Sequence, residues 1–339
     1  MCRVEILPLD VDDDRAMNDA YLVEWAANQH VRPGWAPLGL DAWILGWRAD
    51  DGWRNHLVGA WDGDELLGFA AGMNAADTPD TTWVFVWVAP KNHRAGIGAA
   101  LVRAVEDASQ ECTTRFTSSA YRPSTGEIES LTRHFSQPLG YVLATTETVV
   151  ELDLRAAHLP SPRVVDGYDI STHVNGVPEQ FQGQVGQIKG LVDAEAPHGD
   201  LAWAETPVSP AEYAGEIELW VAQGRTVFES IAVDPSGNVV AWTCLVAAAD
   251  DARPAETQGT LVVAEHRGHG LGAAVKLACL SHARHRNNVL RVRTSSDNAN
   301  VWMRTINTEL GFLPVETEII IRKDRAVESS PLRSESELA

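Results

Sequence analysis

Val262-Val263-Ala264-Glu265-His266-Arg267-Gly268-His269-Gly270-Leu271-Gly272-Ala273 is the stretch that decides the fold. An apolar run, Thr260-Leu261-Val262-Val263, leads into it, and Ala274-Val275-Lys276-Leu277-Ala278-Cys279-Leu280 continues it with the pattern of a helix. The stretch is therefore the turn from a strand into a helix. Such a turn binds anions, because glycines let the backbone approach a ligand while unpaired N–H groups and the positive end of the helix dipole point at it. A pyrophosphate fits. The Gly-Lys-Ser/Thr ending of a Walker A loop and the first Gly of G-x-G-x-x-G are both missing, which excludes those nucleotide loops.

A weaker copy, His93-Arg94-Ala95-Gly96-Ile97-Gly98, stands 174 positions upstream. Val88-Ala89-Pro90 precedes it, and Ala99 to Val105 reads as a helix. Leu139-Gly140-Tyr141 stands to it as Leu310-Gly311-Phe312 stands to the second copy, and Thr117-Ser118-Ser119 echoes Thr294-Ser295-Ser296. The chain is read as an internal duplication of one domain.

The second copy resembles the acetyl-CoA motif of the GNAT acetyltransferase superfamily, Arg/Gln-x-x-Gly-x-Gly/Ala after a strand. Asn300 and Gly311-Phe312 resemble the superfamily's following helix, with an Asn eleven residues before a Gly-aromatic pair. The resemblance implies an α+β (mixed α/β) fold: two tandem GNAT domains, each a mixed, mostly antiparallel sheet with a splayed central strand pair flanked by helices. It implies acetyl-CoA as co-substrate and no metal. It also implies that Arg267, Gly268, His269, Gly270, Leu271, Gly272 and Ala273 cradle the pyrophosphate. Val262, Val263 and Ala264 would follow the pantetheine, with an N–H near Val262 as oxyanion donor and Asn300 on the pantetheine arm. In the first copy His93 replaces Arg267 and Glu129 replaces Asn300. That half is expected to be degenerate, with Val88, Gly96, Ile97 and Gly98 as a second CoA site that keeps the turn without the chemistry.

Acetyl transfer to an amine of pKa near about 10 needs a proton acceptor at pH 7. Glu256, at the start of the motif strand, is the first candidate and Glu229, on an adjacent strand, the second. Relatives often place a proton-donating Tyr four residues before the Gly of the Gly-aromatic pair. Asn307 stands there, and Ser136 in the first half; Asn offers a hydrogen bond to sulfur and no acidic proton. His198 and Asp200 are candidate substrate contacts, and His266 and His269 positioning residues beside the phosphates.

At 339 residues and 45% hydrophobic, the chain suits two cores. The expected domains are 1–154, a linker 155–167 with two prolines, 168–323, and a polar disordered tail 324–339. A net charge of −20 argues against nucleic acid and favours a small cationic acceptor. Cys2, Cys112, Cys244 and Cys279 lie far apart, so neither a zinc site nor a disulfide framework is expected, and Cys244 reads as core. No apolar run approaches a membrane span and no leader precedes the first strand, so a cytoplasmic monomer or homodimer is expected.

The expected function is acetyl-CoA-dependent N-acetylation of a small amine in the C-terminal domain. Two alternatives stand beside it: a catalytically silent acyl-CoA-binding regulatory protein, and a thiol-biosynthesis enzyme like mycothiol synthase. The tandem layout resembles actinobacterial two-domain members of the superfamily, a group that includes the latter.

Overall fold

A computed structural model describes residues 4–75, 78–109, 112–123, 132–197, 199, 201, 205–249, 253–286 and 289–325. Glu129, His198, Asp200 and most of the expected tail lie outside them.

The first half runs β1 (Glu5–Pro8), α1 (Asp14–Val31), α2 (Leu40–Arg48), β2 (Trp53–Asp62), β3 (Glu65–Ala75), β4 (Thr81–Val88), α3 (Ile97–Ala108), β5 (Arg115–Pro123) and β6 (Val142–Asp153). The second half repeats it with β7 (Asp169–Val174), α4 (Glu179–Glu195), α5 (Pro210–Ala222), β8 (Thr226–Val233), β9 (Val239–Ala247), β10 (Ala255–Val262), α6 (Leu271–Arg286), β11 (Arg291–Asp297), α7 (Val301–Glu309) and β12 (Leu313–Asp324). Local chemistry sets several ends. Asp13 caps α1, its carboxylate accepting from the amides of Arg15 and Ala16. Ser209 and Glu212 form a capping box on α5, with Pro210 in the first turn.

The strands form one continuous sheet of twelve, in the order β1-β2-β3-β4-β5-β12-β6-β11-β10-β9-β8-β7. The sequence predicts two separate sheets. Instead the halves exchange their last strands: β12 pairs antiparallel with β5 of the first half, β6 pairs antiparallel with β11 of the second, and β6 and β12 pair with each other at the centre. Glu147 and Glu318 face each other in that central pairing. They are 171 positions apart, the spacing of the two Gly-aromatic pairs, so the pseudo-twofold axis of the duplication passes between two equivalent carboxylates.

The exchange reaches the cores. Ile319 and Ile321 of β12 pack with Leu101, Val102 and Val105 of α3, whereas Val150 and Leu152 of β6 pack with Leu277 and Leu280 of α6. A separate core lies on the opposite face of each half, under α1 and α2 in one and under α4 and α5 in the other.

The splayed strand pair is present twice. β4 and β5 run parallel and pair at Thr81–Trp83 against Arg115–Thr117, then separate; β10 and β11 pair at Ala255–Glu256 against Val292–Arg293, then separate. Beyond those points, among the described residues, each inner strand has one edge without a strand partner, and a glycine-bearing turn stands at the mouth of each wedge.

Candidate active site

The two turns are close copies. A short 3-10 turn, Pro90–Asn92 or Ala264–His266, ends each strand, and a left-handed glycine, Gly96 (φ 81) or Gly270 (φ 78), precedes each helix. The amide of Ala89 donates to Leu67 O at 2.9 Å, and the amide of Val263 to Val240 O at 2.9 Å. N–H groups alternate sides along a strand, so those of Val88 and Val262 point the other way, into their wedges. The Val263 amide is thus committed to the neighbouring strand. Arg267 Nε donates to Val262 O at 3.0 Å, and His93 Nε2 contacts the equivalent Val88 O at 2.9 Å. The exposed histidine therefore ties the turn to its strand as the arginine does.

The remaining second-half candidates are largely engaged. The Arg267 guanidinium is ion-paired with Glu195 at the end of α4. His269 Nδ1 donates to His266 O, and His266 Nδ1 meets Tyr168 Oη at 3.0 Å. Asn300 caps α7, its Oδ1 accepting from the Met303 amide at 3.1 Å, so this oxygen serves the helix rather than a pantetheine arm. Asn307 is 2% exposed and accepts from Lys276 Nζ at 2.7 Å. Burial pushes the Lys276 ammonium down to about 7.

Glu229 proves to be an interior carboxylate. It is 1% exposed and accepts from Tyr213 Oη and from Trp242 Nε1, and burial raises its pKa. Cys244, beside it in the register, is core as expected. Trp242 and Val192 crowd Gly259 on the same side of β10: a Cβ there would meet them at 2.9 and 3.3 Å.

The first half is open where the second is filled. A cavity of about 1420 Å³ runs from the turn at His93 to Ala99, along β4 and β5, to α1 and the segment 34–38. Glu256 lines this cavity, bound to Arg253 at 2.8 Å, together with Thr257, Thr294 and Ser295, so it stands where the first half's cavity meets strands of the second half.

Residues that sequence reasoning passed over complete the site. Glu318 arrives on the exchanged strand β12; burial, and then the Glu147 carboxylate opposite, push it up to about 7 against hydrogen bonds from Tyr121 and Ser119. Burial and the Glu318 carboxylate in turn push the Tyr121 phenol above its ordinary range, which makes it a hydrogen-bond donor rather than an acid. Glu24 of α1, which accepts from Trp43 Nε1 at 2.9 Å, is raised by burial to about 7. Arg32 stands over the Tyr121 ring and is held by both oxygens of Glu316 at 2.7 and 2.6 Å. The one sequence signal for Glu318 is its equivalence to Glu147 under the repeat.

The sequence model of the Acetyltransferase (GNAT) family matches residues 16–123, in the half with the cavity. No curated protein matches the chain. Among solved structures, a tandem GNAT protein from the clavulanic acid biosynthesis pathway is similar over 96% of this chain and 99% of its own, with TM-score 0.79 and 22% identity. A GCN5-related N-acetyltransferase from Sphaerobacter thermophilus covers 95% of both chains with TM-score 0.65 and 17% identity. The N-myristoyltransferase of Saccharomyces cerevisiae covers 96% of this chain and 80% of its own, with TM-score 0.60 and 11% identity. No helix among the described residues is long and apolar enough to cross a membrane.

Proposed function

We propose that this chain, whose residues 16–123 match the GNAT acetyltransferase family and whose fold is similar to that of a tandem GNAT protein, transfers an acetyl group from acetyl-CoA to a small-molecule amine in the cavity of its first half. One observation carries the reading: a single cavity joins a phosphate turn, a strand edge with inward N–H groups, and a carboxylate whose pKa of about 7 suits proton transfer at neutral pH.

The turn from His93 to Ala99 holds the pyrophosphate, and the edge of β4 ending at Val88 receives the pantetheine and the thioester oxygen. Glu318 takes a proton from the ammonium. The freed nitrogen attacks the carbonyl carbon, the C–N bond forms, the C–S bond breaks, and the sulfur leaves as thiol. An ammonium and a thioester thus become an amide, a thiol and one proton.

A second reading keeps transfer in the second-half cleft. It is favoured by Arg267 and by the left-handed Gly268 and Gly270, which keep the full signature. There the filled space beside Gly259 supports acyl-CoA binding without transfer.

The matched variants Gly98→Glu and Gly272→Glu test the two readings, since each sets a carboxylate at the start of a phosphate-binding helix. Thiol release from acetyl-CoA should fall at least about 100-fold in Gly98→Glu and stay within about threefold in Gly272→Glu. The reverse pattern moves the chemistry to the second half. Melting curves for both variants separate loss of binding from loss of fold.

A further inference from the structure

The acceptor side of the first-half cavity carries a row of rings. Trp83, Phe85 and Trp87 occupy alternate positions of β4, so their side chains share one face, and the Val84, Val86 and Val88 face packs toward α3 instead. Trp83 and Phe85 are stacked with centroids 6.0 Å apart and planes 5° apart, and Phe85 and Trp87 follow at 6.0 Å and 21°. All three are half-buried and line the cavity, with Met73 and Trp53 beside them. Eight of the chain's twelve tryptophans fall between Trp25 and Trp87; Trp43, Trp47, Trp61 and Trp87 belong to or pack against the core under α1 and α2, and Trp35, Trp53, Trp83 and Trp87 line the cavity.

Five arginines line the cavity beside three glutamates, and four of them are engaged: Arg32 and Arg293 by Glu316, Arg253 by Glu256, and Arg122 by the Tyr121 carbonyl. Glu24 and Glu318 are the acidic groups that the same cavity adds. A flat apolar wall with carboxylates beside it suits a cation carried on an apolar body, because the rings gain by burying hydrocarbon and their faces attract positive charge. At the equivalent positions of β10 stand Thr257, Gly259 and Leu261, so the wall belongs to the first half alone.

Resting on the first-half site described above, we propose that the acceptor is an arylalkyl amine, its ring laid against Trp83, Phe85 and Trp87 and its ammonium turned toward the cavity carboxylates.

The full-length protein with acetyl-CoA tests this by thiol release. Expected is a kcat/KM for 2-phenylethylamine and tryptamine roughly 10- to 100-fold above that for glucosamine or spermidine, the range set by burying one aromatic side chain. Phe85→Ala should raise KM for 2-phenylethylamine about tenfold and leave kcat within about threefold. Glucosamine or spermidine turned over as well as the aryl amines overturns the inference and leaves the acetyltransferase reading standing. Absence of thiol release with every amine overturns that reading instead. Quenching of tryptophan fluorescence by 2-phenylethylamine, weakened in Phe85→Ala, then decides the acceptor site independently of turnover, and an unchanged emission spectrum sinks it.

Discussion

Trp83, Phe85 and Trp87 on β4 have Thr257, Gly259 and Leu261 as their counterparts on β10, yet the phosphate turns that follow the two strands match contact for contact. Duplication preserved the backbone device and let the side-chain wall diverge. The turn is a property of a few dihedrals and amides, which His93 and Arg267 stabilise equally through a carbonyl five residues back. The space beside the strand is a property of volume, and a glycine at 259 yields that volume to Trp242 and Val192. Signature residues therefore report that a turn exists; the side chains lining the space beside it decide what the half can do.

The largest expected effect breaks the comparison at the strand exchange. Ile319→Ala should cost about 2–5 kcal/mol, since the side chain is 0% exposed. Hydrogen exchange should quicken in α3 and its strands in the first half, although the mutation lies near the other end of the chain. Loosening confined to α6 and α7 would contradict the exchanged pairing.

Next in size, Glu318→Gln should lower kcat about 10²- to 10³-fold. In the parent, kcat should rise with pH through about 7, because Glu318 must lose its proton before it can accept one from the substrate. That rise should vanish in the variant. A pH profile unchanged by the substitution assigns proton transfer to another group.

Stability should depend on Glu24 in the opposite sense. Its pKa is raised to about 7 in the fold, so its contribution is fully present below the ordinary carboxylate value and is lost as pH rises through 7. Glu24→Gln should gain about 1 kcal/mol over the parent between pH 5 and pH 8 in urea unfolding, with the Trp43 bond kept by the amide oxygen.

The smallest effect sharpens the comparison of the turns themselves. Arg94 adopts φ 63 where its counterpart Gly268 has φ 84. Arg94→Gly should therefore stabilise the fold by about 1 kcal/mol, and Gly268→Arg should destabilise it by a similar amount, both visible as shifts in melting temperature.

Much of the architecture was legible locally. Both strand-to-helix turns follow from their glycines and from the repeat, and the splayed strands from the family resemblance. The exchange of β6 and β12 was not, because alternation tells which face of a strand is buried and never which strand lies beside it. That gap bears on the candidate acids as well. Glu229 reads as an acid on a strand next to the motif, but Tyr213 and Trp242 enclose it. Glu318 reads as an acid in a distant strand, and pairing with β5 carries it into the first half's cavity. Glu256 was chosen for the right strand, but at the edge where that strand meets the other half.

The exchanged strand also sets a schedule for synthesis. The wall and phosphate turn of the first half leave the ribosome early, but β5 has no outer partner and Glu318 does not exist until β12 has been made. The site encoded first is completed last, so a chain halted before Leu313 would carry an intact motif, an open sheet edge and no working cavity.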